Sequence, residues 1–205
     1  MPQSLARRRV VRPPRSAAPS EGATRCTVSL PLQRAQLPPV PSTLLIPLAA
    51  RAHGGRYFPW LDCRDAVAPA LLARLDADVN GTLDDLHTVL HVLWRTRAIQ
   101  EAGRAFFAEH PQALGVNLGC GLTHYFQWLD GGANQWLDAD LPEVMALRRP
   151  LLPPPCPRTR HADLDLSQPG WWQRLGLPTQ HSATPVLLVC EGVLMYLPPA
   201  QVHAC

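Results

Sequence analysis

The chain has 205 residues, 46% of them hydrophobic and 17% charged, a length suited to one domain with a tail. All 19 of its basic residues are Arg and none is Lys, which excludes a Schiff-base lysine, a lysine general base and the lysine-bearing phosphate loop. The net charge of +3 is unevenly held: residues 1–40 carry seven Arg against Glu21, whereas the remaining residues carry 12 Arg against 15 acids, so a basic leader precedes a mildly acidic body.

Residues 1–40, rich in Pro, Arg, Ser and Ala and without periodicity, are expected to form a disordered basic leader. Ser42 is positioned to cap a helix over Thr43–Ala52, which Gly54 and Gly55 end. A second helix is expected from Cys63 to Leu75, with Val67, Leu71, Leu72 and Leu75 on one stripe. From Thr82 to His110 the residues Leu83, Leu86, Leu90, Leu93, Ile99, Phe106 and Phe107 recur at helical spacing up to Pro111, which predicts one long amphipathic helix or two. Beyond Pro111 strands and helices alternate. Strands are predicted at Leu114–Leu118, Gln135–Ala139, Arg160–Leu164 and Pro185–Cys190. Between them fall a short helix in Leu122–Leu129, a helix from Pro142 to Leu152 with proline in its first turn, and a helical turn at Trp171–Leu175. This alternation predicts a doubly wound α/β sheet.

Composition removes several partners. The body has no basic cluster interleaved with aromatics, so nucleic acid is not an expected partner. No apolar run approaches the roughly 18 residues of a membrane span. Arg7–Arg9 lie too far from the apolar Leu44–Ala50, which Pro47 interrupts, to make a signal peptide. The six cysteines form no CxxC pair, and free thiols in a reducing cytoplasm are expected. His87 and His91 lie four apart without the HExxH glutamate, so no metal site is expected.

In an open α/β sheet the ligand sits beyond the carboxyl ends of the strands. The first end reads Val116-Asn117-Leu118-Gly119-Cys120-Gly121, whose glycines let backbone approach a ligand closely or simply make a turn. The second carries Asp138 and Asp140. Asp140 lies 19 residues past Gly121, where an acid accepts hydrogen bonds from ribose hydroxyls, caps the next helix, or does both. The third holds Asp163-Leu164-Asp165, an acceptor beside an apolar residue suited to an adenine amino group and ring, or else a pair of solvated loop acids. At the fourth, Glu191 follows five apolar residues, where a carboxylate needs a partner. His124 occupies the sixth position of GxGxxG, where a dinucleotide fingerprint has its third glycine. With Glu191, that departure favours an adenosyl cofactor over the alternative of an NAD-dependent oxidoreductase.

The runs Val116–Leu122, Trp136–Val144, Ala162–Leu164 and Cys190–Leu197, with Ser42–Leu48 and Arg95–Ile99 upstream, resemble the leucine carboxyl methyltransferase family, whose bacterial branch includes polyketide O-methyltransferases. The resemblance implies a class I S-adenosylmethionine-dependent methyltransferase. Its Rossmann-like sheet would begin within residues 42–205, which hold a helical N-terminal segment and the first four strands. It further implies that Gly119 and Gly121 line the cofactor, Asp140 holds the ribose, and Asp163 with Leu164 meets the adenine. Glu191 would lie by the methionine end, and the Arg95 fork would bind the methionine carboxylate. Two positions depart from the family pattern: Thr123 and Gln100 each stand where it usually has Asp. The first weakens a polar contact near the cofactor, and the second affects local structure. Trp171-Trp172 is expected to pack, and Tyr196 to line an acceptor pocket or join the core.

The implied reaction is methyl transfer to a carboxylate or hydroxyl oxygen of a small, polyketide-like acceptor, and no catalytic base is identified. Class I enzymes usually carry seven strands, so the chain is expected to be C-terminally truncated, with the fourth strand left as an apolar edge. A remnant that binds cofactor without turnover is the competing expectation.

Overall fold

A computed structural model describes residues 42–77, 79–179 and 182–204, so the expected leader lies outside the described residues. Four parallel strands form one sheet: β1 (Leu114–Leu118), β2 (Gln135–Asp140), β3 (Thr159–Asp163) and β4 (Val186–Cys190), in the order β3-β2-β1-β4. Leu114 pairs with Gln135 on one side and Val186 on the other, and Asp140 pairs with Asp163, so all four carboxyl ends finish level. The order reverses between β1 and β4, and that switch point is where an open α/β sheet leaves a crevice.

The sheet follows from the apolar runs. All five residues of β1 are buried, as a central parallel strand requires. β4 is less covered, with Leu188 43% exposed and β1 as its one partner among the described residues.

Among the described residues three α-helices precede the sheet: α1 (Ser42–His53), α2 (Ala68–Leu75) and α3 (Leu86–Glu109). The predicted second helix is shorter than expected. Arg64 adopts a left-handed conformation, and Asp65 accepts from the backbone N–H groups of Val67 and Ala68 at 2.9 Å, so Cys63–Val67 leads into the helix without joining it. In α3 the start moves to Leu86 because Asp85 caps it, accepting from Thr88 N at 3.2 Å. Its buried stripe is Val89, Val92, Leu93, Thr96, Gln100, Gly103 and Phe107, whereas Leu86 is 43% exposed. Gln100 ties α3 to the loop before α2, its Nε2 donating to Cys63 O at 3.1 Å.

Helix α4 (Phe126–Leu129) follows β1, α5 (Pro142–Leu151) follows β2, α6 (Trp171–Arg174) follows β3, and α7 (Pro199–Ala204) ends the described chain. The predicted helix over Leu122–Leu129 is thus reduced to its last turn. Leu48 of α1, Leu71 and Leu72 of α2, and Leu147 and Leu151 of α5 share one core cluster, which seats α1 over the carboxyl ends of the strands. Trp171 packs in the core on the other side, edge-on to Trp172 at 5.6 Å. Cys63 and Cys120 are free and buried, but Cys156 is disulfide-bonded, so the expectation of free thiols fails there. No helix among the described residues is long and apolar enough to cross a membrane.

Candidate functional site

The loop after β1 turns through two left-handed glycines, Gly119 (φ +64°) and Gly121 (φ +49°). A Cβ on Gly119 would sit 2.2 Å from Val193 Cγ2, so the loop after β4 closes against it only because it is glycine. Beneath this loop lies a buried ion pair. The fully buried Arg148 of α5 donates through Nη1 to Gly121 O and Thr123 O, both at 2.8 Å, and through Nη2 to Asp138 Oδ2 at 2.6 Å. Asp138 Oδ1 accepts from Asn117 Nδ2 at 3.1 Å and Trp136 Nε1 at 3.0 Å. Burial pushes the Asp138 carboxyl up, but the Arg148 charge and these donors outweigh it and hold the group below the usual carboxylate range. His124, half-buried in the same loop with its Nδ1 buried, is driven down to about 4 by desolvation and then by Arg148, so it is neutral at pH 7.

Asp140, two residues along β2, faces a cavity of about 720 Å³ at the switch point. Its oxygens accept from Gly121 N and Leu141 N, each at 2.7 Å, and burial raises its carboxyl above the usual range. It thus braces the glycine loop and bonds the backbone that follows it, without capping α5, whose N-cap Leu141 has no side-chain bond, while a carboxylate's further lone pairs remain for a ligand. On the far side, Glu191 sits past β4 with its side chain 9% exposed. Oε1 accepts from Arg95 Nε of α3 at 2.5 Å and Oε2 from the Tyr125 hydroxyl. Arg51 of α1 also lines the cavity. Its Nε donates to Asp65 at 2.9 Å, while Nη1 is buried without a partner.

Six of the seven sequence-predicted residues, Arg95, Gly119, Gly121, Asp140, Leu164 and Glu191, line this one cavity. Asp163 does not. It is exposed and paired with Arg149, while its neighbours Leu164, Asp165 and Leu166 face inward. Tyr196 lies at the cavity with 64% of its surface exposed, beside Met195, and is not in the core. Thr123 lines the cavity too, at the position where the family usually has Asp.

The cavity lining therefore brings together a glycine loop, two carboxylates, two guanidiniums and a phenol. A family model, that of the leucine carboxyl methyltransferases, matches residues 50–205. The chain belongs to this family. It is 32% identical over 163 residues to the tetracenomycin polyketide synthesis O-methyltransferase TcmP of Streptomyces glaucescens, covering 79% of this chain and 58% of TcmP. It is 30% identical over 113 residues to the S-adenosyl-L-methionine-dependent methyltransferase dpfgK of Gibberella zeae, covering 52% of this chain and 37% of that protein. The chain thus spans little more than half the length of TcmP.

Sequence reasoning missed Arg51, Tyr125 and Arg148, and of the two acids in Asp163-Leu164-Asp165 it carried Asp163 forward, whereas Asp165 is the one that lines the cavity. Two of the three missed residues left a signal. Arg51 continues the apolar stripe Leu44, Pro47, Leu48, and Arg148 continues Val144 and Met145, so each is a charge placed where a helix buries its apolar face. Tyr125 left none.

Proposed function

We propose that the chain carries the cofactor-holding part of an S-adenosylmethionine-dependent O-methyltransferase acting on a small-molecule acceptor. The observation that carries this reading is the cavity at the switch point, whose lining combines a glycine loop and the Asp140 carboxylate with Arg51, Arg95, Glu191 and Tyr125. A cofactor with a ribose and an adenine at one end and an amino acid at the other matches them. Asp140 takes the ribose hydroxyls and the glycine backbone admits the cofactor closely. Leu164 packs on the adenine, and Asp165, which lines the cavity where Asp163 does not, suits its amino group. Arg95 and the unpartnered Nη1 of Arg51 suit the carboxylate of the amino acid, and Glu191 suits its ammonium.

The bound cofactor supplies an electrophilic methyl group on a sulfonium, so its leaving group is already activated. What the chain supplies is alignment and exclusion of water. Leu44, Ile46 and Pro47 of α1 close the cavity over the glycine loop with apolar surface. A carboxylate acceptor, already ionised, needs no base, and the reading assigns none. A polyketide-like acceptor and a cytoplasmic location belong to the same reading.

Calorimetric titration with S-adenosylmethionine and with NAD tests it. Binding of S-adenosylmethionine is expected, and binding of NAD alone overturns it. Asp140→Ala should weaken the cofactor about 10- to 100-fold, the loss of one or two hydrogen bonds to a charged group. Unchanged affinity removes Asp140 from the ribose.

A further inference from the structure

Glu191 is held at both oxygens, and the two donors differ in kind. Arg95 reaches it from α3 on a long side chain that is 39% exposed. Tyr125 is fully buried at the start of α4, its ring set edge-on against Trp128 at 5.6 Å. A flexible donor alone leaves the carboxylate free to rotate, whereas a packed phenol fixes the plane of the group it bonds. Burial and the Glu191 charge push the Tyr125 hydroxyl far above its ordinary value, so it stays protonated as a donor at every working pH. Tyr125 lines the cavity together with Glu191, with their bond spanning 66 residues of sequence. The bond therefore ties the glycine-loop side of the crevice to the loop after β4.

We propose that Tyr125 is a positioning residue: its hydroxyl orients Glu191 so that the remaining lone pairs meet the ammonium of the cofactor's amino-acid end. This rests on the S-adenosylmethionine reading above. Tyr125 makes the site selective for the zwitterionic end and contributes little to the adenosine end, which Asp140 and the glycine loop serve.

The test is a ligand-truncation cycle. Affinities for S-adenosylhomocysteine, which keeps the amino-acid end, and 5′-methylthioadenosine, which lacks it, are measured for the wild-type chain, Tyr125→Phe, Glu191→Gln and the double variant. Phe keeps the ring packing and removes one donor. Tyr125→Phe should weaken S-adenosylhomocysteine about tenfold, the worth of one hydrogen bond to a charged group, while 5′-methylthioadenosine changes less than about twofold. In the Glu191→Gln background the Tyr125 effect should vanish. Equal weakening of both ligands, no weakening of either, or the same Tyr125 effect with and without Glu191 overturns the proposal. Failure of the wild-type chain to bind either ligand overturns the cofactor reading instead.

Discussion

Asp138, near the end of β2, is 2% exposed and accepts hydrogen bonds from Arg148, Trp136 and Asn117, whereas Asp163, at the end of the neighbouring β3, is exposed and meets the equally exposed Arg149. The same contrast runs through the sheet. The Asp138 network beneath the glycine loop is closed by contacts within the protein, while Asp163 at the end of β3 faces water and Glu191 past β4 lines the cavity. Buried ion pairs offset a large desolvation cost and collapse when one partner is lost, while exposed pairs are screened. The inner region therefore supports the glycine loop, and the outer region is free to exchange its partners for a ligand.

The largest expected break in this contrast is Arg148→Met, which strands Asp138 in the interior and removes both props of the glycine loop. It should cost about 3–5 kcal/mol in urea denaturation, against less than about 1 kcal/mol for Arg149→Ala. Similar losses for the two variants would erase the distinction between the regions.

Next is the point where the regions touch. Gly119→Ala places a Cβ in a left-handed conformation against Val193, combining about 1–2 kcal/mol of backbone strain with about 1–3 kcal/mol of overpacking. Gly121→Ala meets only Leu44 Cδ2, at 3.1 Å, and should pay the backbone cost alone. Equal thermal shifts for the two would show that Val193 yields freely.

The smallest effect is electrostatic. His124 titrates at about 4 in the folded chain against 6.5 ordinarily, so the unfolded chain binds more protons between these values. Stability is therefore fully present above pH 6.5 and falls as pH drops towards 4, by on the order of 2 kcal/mol. Buried Asp138, held below the usual carboxylate range, loses its contribution only at still lower pH. His124→Asn should flatten the slope between pH 6.5 and 4 and leave the more acidic loss intact, as followed by denaturation across pH.

Much of this architecture was legible because it is local. Apolar runs bounded by Pro111, the Gly119 loop and Pro142 placed β1, β2 and α5 within a residue or two of where they stand. The misjudged helix starts have local causes as well: Asp65 and Asp85 bond their own following backbone, and that preference outweighed the apolar stripe around them.

Chain order and spacing alone were enough to mark the four strand ends as the business side of the sheet, and to mark Gly119, Gly121, Asp140 and Glu191 as residues that converge there. Which way each side chain turns is another matter, because it depends on register and on neighbours far away in sequence. Asp163 and Asp165 look equivalent as text, yet packing sends one to Arg149 and the other to the cavity. Arg51, Tyr125 and Glu191 sit 74 and 66 residues apart, and no periodicity joins them. They share one crevice because parallel pairing of β1 with β4 brings two loops level and α1 lies across both.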